Sequence, residues 1–159
     1  MTLSARHWMM LAAAGSAALM IGALAFQHLG GMAPCKLCIW QRWPHVVAIG
    51  IGLLAMLALL PQRLLAGLGA AAALATAGIG FYHSGVERKW WEGPASCSGG
   101  GVADQSAQDL FAQIMAAPLV RCDEVPWEML GLSMASWNAV LSLLLAGMWL
   151  MAWRAARQG

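Results

Sequence analysis

Charge is scarce in this sequence. Lys and Arg number 9 and Asp and Glu 7 in 159 residues, so 10% of the chain is charged and 60% is hydrophobic. A typical soluble domain is roughly a quarter charged, which rules out an ordinary soluble globule and points to a membrane protein. The shortage is also uneven. No charged residue lies between Arg6 and Lys36, Arg42 and Arg63, Arg63 and Glu87, or Glu128 and Arg154. Each gap can hold a spanning helix, which needs about 20 mostly apolar residues for a hydrocarbon core of about 30 Å. Other absences narrow the chemistry. There is no Gly-rich nucleotide fingerprint and no room for a flavin domain, and Ile39 stands where a haem-attachment motif needs histidine.

The gaps predict an all-α membrane protein: a four-transmembrane-helix bundle with helices over about 8–26, 43–60, 64–82 and 134–153. One short loop, about 27–42, and one long loop, about 83–133, project on one side, and residues 1–159 form a single membrane domain. Trp8, Trp40, Trp43, Trp137, Trp149 and Trp153 fall near the expected helix ends, where amphipathic rings favour the headgroup level. Trp90, Trp91 and Trp127 suggest that the long loop rests on the bilayer surface. Arg6, the following apolar run and Ala23-Leu24-Ala25 imitate a secretory signal. The run is long for a signal core, however, and three more spans follow it.

With four spans, the loops after the first and third helices share one side. All the cysteines are there, Cys35 and Cys38 in the short loop and Cys97 and Cys122 in the long one. Lys and Arg alone do not orient the chain. Those on the terminal side (Arg6, Arg63, Arg154, Arg157) are clustered, though, and all 7 acids sit in the long loop. By the positive-inside rule, this favours cytoplasmic termini and cysteines outside, where disulfides persist.

Four cysteines allow three pairings. The close pair Cys35-Lys36-Leu37-Cys38 suits a reversible disulfide of its own. Cys97 and Cys122 are either a staple across an exposed loop, worth roughly 3 kcal/mol, or an exchange partner of the first pair. A zinc site would need more short-spaced ligands than the second pair offers. Ser98-Gly99-Gly100-Gly101 gives Cys97 a flexible neighbourhood suited to meeting another protein. Residues 106–115 read as a short amphipathic helix with a Ser106-x-x-Asp109 cap, packed on the bundle or dipped into the interface.

Thiolates form most readily at helix N-termini and beside cations. Cys38, at the mouth of the second helix, has Arg42 one turn on. Oxidised thiols need an electron sink, and a membrane-dissolved quinone is the economical one. A cation near its carbonyl oxygen would stabilise developing charge. Arg42 is the first candidate for that role and His83, at the outer end of the third helix, the second.

The combination of Phe26-Gln27-His28, Pro34-Cys35-Lys36-Leu37-Cys38 with Gln41-Arg42, Tyr82-His83, Gly93-Pro94-x-x-Cys97, Cys122-Asp123 and Leu130-Gly131-Leu132-Ser133-Met134 resembles the bacterial DsbB family of inner-membrane thiol oxidases. The resemblance covers essentially the whole chain. It implies oxidation of a periplasmic thioredoxin-fold partner of the DsbA type, with electrons passed to ubiquinone or menaquinone, and no nucleic-acid partner. Carried over by motif position, Cys97 would form the mixed disulfide with the partner and Cys122 would be its disulfide mate. Cys122 would exchange with Cys35, leaving Cys38 as the thiolate at the quinone, with Arg42 assisting and His83 near it. Two other classes compete. A relative of vitamin K epoxide reductase would share the bundle and the quinone chemistry, but its CxxC follows the loop pair. A non-enzymatic membrane subunit would use its disulfides only as staples.

Overall fold

The computed structural model describes residues 3–58, 60–94, 108, 111 and 120–157. Among them are four helices long and apolar enough to cross a membrane: α1 (Ala5–His28), α2 (Lys36–Leu57), α3 (Gln62–Glu87) and α4 (Met134–Ala155). The chain is a multi-pass, mainly helical membrane protein. α1 packs on α2 and α4, and α3 packs on the same two, while the diagonal pairs barely meet. This is the up-down-up-down square of a four-helix bundle.

Side chains set the helix starts. Ser4 caps α1, its hydroxyl accepting the His7 amide, and Ser133 caps α4 by accepting the Ser136 amide at 3.2 Å. α2 is capped by Cys35, whose Sγ accepts the Cys38 amide at 3.2 Å. It therefore begins at Lys36, well before the expected residue 43, and the Cys-x-x-Cys motif forms its first turn. Arg42 had looked like the membrane boundary, but a capping side chain, not a charge, starts the helix. α2 stops early, at Leu57, where Ala58 turns left-handed (φ 53°) before the Pro61 that leads into α3. α3 runs beyond the expected Tyr82 to Glu87, carrying His83 and Glu87 inside the helix.

A two-stranded hairpin precedes α4. β1 (Glu128–Met129) pairs antiparallel with β2 (Leu132–Ser133) across Leu130 and Gly131, both at positive φ (55° and 75°). That is the backbone hand a two-residue hairpin turn needs. The Trp137 indole donates to the Met129 carbonyl at 3.1 Å, tying the hairpin to the helix it introduces.

The core is built from small residues. Ala12, Ala48, Ala55, Ala66, Ala70, Ala73, Ala146 and Ala152 meet between the helices with Met9, Leu65 and Trp149. Lipid tails supply no hydrophobic drive between helices, so close backbone approach and van der Waals packing hold such a bundle. Large apolar side chains such as Ile21, Trp43, Leu53 and Leu144 point outward. Trp149 corrects the expectation of an interfacial ring: it is fully buried at 0% exposure, and its indole occupies the space left by the missing side chain of Gly69. Trp91 turns back onto the end of α3, where it covers Gly85 and donates to the Tyr82 carbonyl at 2.8 Å.

A Cβ at Gly69 would collide with the Trp149 ring, whereas one at Gly67, two residues away, meets nothing within 4 Å. Gly69→Ala should therefore destabilise the bundle by about 1–3 kcal/mol, the usual cost of overpacking. Gly67→Ala should leave stability unchanged or raise it. Thermal unfolding in detergent compares the two directly; equal midpoints would mean that the ring can move aside.

Candidate functional site

Four chain segments converge at one end of the bundle: the C-termini of α1 and α3 and the N-termini of α2 and α4. The α2 terminus presents Cys35 and Cys38 on its first turn. Both are free thiols, with their sulfurs 2.8 Å apart. Cys35 is buried at 4% exposure and Cys38 is partly open. The Cys38 sulfur beside it, and burial, push the Cys35 thiol up from its ordinary value.

Cys122 is fully buried and disulfide-bonded, and it packs in one cluster with Cys35, Leu37 and Val86. Cysteines far apart in sequence, one from each loop, are thus brought together. Beside Cys122, Arg121 forms a forked pair with Asp123 at 2.9 and 2.7 Å, which lowers the Asp123 carboxyl and raises the Arg121 guanidinium. Cys97, the glycine run after it and the helix expected over 106–115 lie outside the described residues, apart from Gln108 and Phe111.

His83 is in the last turns of α3 and is buried. Its Nε2 lies 3.6 Å from Cys35 Sγ and 3.9 Å from Glu87 Oε1, its Nδ1 is 2.8 Å from Gln41 Nε2, and the Cys122 backbone also hydrogen-bonds the ring. Cys35 Sγ, Cys38 Sγ and a His83 nitrogen lie within 4.8 Å of one another. Glu87 accepts a short hydrogen bond from Ser133. Arg42 donates to Gln27 Oε1 at 2.7 Å, so α1 aims the guanidinium. The fields of Arg42 and Glu87 both reach Cys38.

Beside the thiols is a cavity of about 430 Å³. Leu19, Ala23, Phe26, Trp127 and Leu141 make it apolar, and Cys38, Arg42, His45, His83 and Asn138 supply its polar points. This combination fits a flat apolar molecule carrying a hydrogen-bond acceptor. The arrangement can exchange disulfides and can hold such a molecule against a thiol.

Sequence reading missed a buried polar chain behind the thiols. Asn138 Nδ2 donates to Gln41 Oε1 (2.7 Å) and Thr76 Oγ1 (3.1 Å), Asn138 Oδ1 lies 2.9 Å from His45 Nε2, and Thr76 Oγ1 donates to the Gln41 carbonyl (3.0 Å). Its signal was there, since polar side chains inside apolar spans are costly and mark functional interiors.

A buried thiol pushed up stays protonated, and less nucleophilic, until the pH rises through its raised value. In the reduced protein at neutral pH, iodoacetamide should modify Cys38 before Cys35, by roughly tenfold or more. Cys35 labelling should catch up only at alkaline pH. Mass spectrometry of partially alkylated protein reads the order; equal labelling at neutral pH would contradict the burial of Cys35.

Comparison with known proteins agrees with this architecture. The family model Disulfide bond formation protein DsbB matches residues 5–152. The chain is 36% identical to Disulfide bond formation protein B of Methylococcus capsulatus, covering 94% of each chain. It is 35% identical to the protein of that name from Verminephrobacter eiseniae, over 89% of this chain and 84% of the relative. Disulfide bond formation protein B 2 of Pseudomonas aeruginosa is 33% identical over 74% of this chain and 72% of its own length. No solved structure matches the chain significantly.

Proposed function

We propose that this chain, which belongs to the DsbB family of disulfide bond formation proteins, is a thiol oxidase that reoxidises a periplasmic DsbA-like dithiol protein and passes the electrons to a membrane quinone. The observation that supports the reading best is the burial of disulfide-bonded Cys122 against Cys35, with the Cys35/Cys38 pair at the rim of an apolar cavity. A structural staple needs no second thiol pair beside it. Thiol–disulfide exchange does.

The relay runs through bonds that the residues can make in turn. A partner thiolate attacks Cys97 of a Cys97–Cys122 disulfide, releasing the Cys122 thiolate, and the partner's second thiolate then displaces Cys97 as its own disulfide forms. The Cys122 thiolate attacks Cys35 of a Cys35–Cys38 disulfide, and Cys38 leaves as a thiolate. Cys97 then recloses on Cys122, freeing Cys35. The Cys35/Cys38 pair now holds the two electrons taken from the partner, and it regains its disulfide by giving them up.

A quinone, ubiquinone or menaquinone, supplies the acceptor of two electrons and two protons. The lining of the cavity supports this reading: the walls are apolar, Cys38 and Arg42 both border it, and Gln27 holds the guanidinium in place. Arg42 would hold a carbonyl oxygen of the quinone, whose chemistry would be to take up negative charge there on reduction. Outward-facing apolar side chains around the bundle suit delivery from the lipid. In this reading the protein spans the bacterial inner membrane, with its termini cytoplasmic and its cysteine loops periplasmic.

Purified protein, a quinone and a dithiol donor give a direct test through the absorbance of quinone reduction. Cys38→Ser should abolish the signal with any donor. Cys97→Ser should stop oxidation of the protein partner. A hydrogen bond to a charged group is worth about 1.5–3 kcal/mol, so Arg42→Ala should weaken quinone use roughly ten- to hundredfold. Arg42→Lys should restore part of it, because the charge remains while the planar fork is lost. No quinone reduction by the wild type would sink the proposal, and an unaltered quinone dependence in Arg42→Ala would return that residue to an interfacial anchor.

A further inference from the structure

The buried polar chain has a direction, and two backbone carbonyls impose it. A carbonyl oxygen can only accept. Gln41 sits 3.2 Å from the Leu37 carbonyl, so the amide atom on that side is nitrogen, and the same Nε2 is the atom 2.8 Å from His83 Nδ1. Thr76 spends its single hydroxyl proton on the Gln41 carbonyl, so Thr76 Oγ1 accepts from Asn138 and the Asn138 atom there is also nitrogen. That nitrogen donates to Gln41 Oε1, which closes the loop consistently. Reversing either amide would set oxygen against oxygen at an anchor. With Gln41 donating to Nδ1, the neutral His83 ring carries its proton on Nε2, the atom that faces Cys35 Sγ and Glu87 Oε1, each able to accept it; the Cys122 backbone is a further hydrogen-bond partner of the ring.

We propose that Gln41, anchored by Leu37 and Asn138, is a positioning residue that holds His83 with Nε2 protonated and directed at Cys35 Sγ, so that the ring donates to this sulfur when it is released as a thiolate. The release step rests on the oxidase reading above; the proton's position does not. Hydrogen bonding to a thiolate favours its charged form, and the imidazole adds a neutral side-chain donor to the Cys38 amide that already bonds Cys35 Sγ. Gln41 hydrogen-bonds His83 rather than either sulfur and acts on Cys35 through that ring.

The test uses the whole reduced protein in detergent with nitrogen-15-labelled histidine, without quinone or partner. The His83 signal is assigned by its loss in His83→Gln. In the wild type it should show an unprotonated Nδ1 and a protonated Nε2. Gln41→Glu puts an acceptor where the donor was, so the proton should move to Nδ1. In a Cys38→Ser background the same substitution should slow alkylation of Cys35 about tenfold. Should Gln41→Glu not fold, the nearly isosteric Gln41→Met should give a mixture of the two ring forms. A wild-type ring protonated on Nδ1 overturns the inference. So does a ring form unmoved by Gln41 substitution, or a moved ring form with unchanged Cys35 alkylation. Because these readouts need no electron acceptor, failure here is distinct from a failure of quinone reduction.

Discussion

Hydrocarbon surrounds this bundle, and a polar group inside it has to find its partner inside it. Much of the architecture at the thiol end follows from that constraint. Asn138 on α4 reaches Gln41 on α2 and Thr76 on α3, while Ser84 on α3 meets Ser136 on α4 at 2.9 Å. These bonds tie three helices together at the depth where the Cys-x-x-Cys turn begins. Below them the bundle is closed mostly by alanines, with Met9, Ile51, Leu65, Leu145 and Trp149 among them, which hold by contact. The upper half is therefore specified by direction and the lower half by shape.

This division suits thiol exchange. Sulfur attack is demanding in approach and needs its groups fixed to within a fraction of a bond length. Packing of small side chains permits sliding along a helix, whereas a side-chain amide bonded to both a backbone carbonyl and a neighbouring ring does not. Cys35 is held from several sides: its own helix turn, His83 from α3, and Leu37, Val86 and Cys122 around it. Cys38 faces the cavity with more freedom. The pair thus combines a fixed sulfur with one open to a bound molecule.

The spans were legible in the sequence because charge is excluded from hydrocarbon, and four gaps without charge are hard to misread. Their ends were less so. Arg42 is a poor marker of where α2 starts, since the start depends on Cys35 folding back to cap its own helix. His83 and Glu87 looked like loop residues, yet α3 carries them inward because Ser133 and the Cys122 segment cover them. Trp149 looked interfacial by position, and only the cleft at Gly69 on another helix explains its burial. The cysteines and Arg42 stood out through spacing. Gln41 was visible only as part of the motif, and Thr76 and Asn138 only as polar residues inside apolar spans; their alignment exists only once helices distant along the chain are side by side.

Cys35 serves two purposes with one atom: its sulfur is half of the thiol pair and also the cap of α2. A thiolate is a strong acceptor for the Cys38 amide, and a sulfur bound in a disulfide is a weak one. In the proposed relay, the oxidation state of the pair would therefore set how firmly the first turn of α2 is capped, so that a helix end and a thiol pair share one atom.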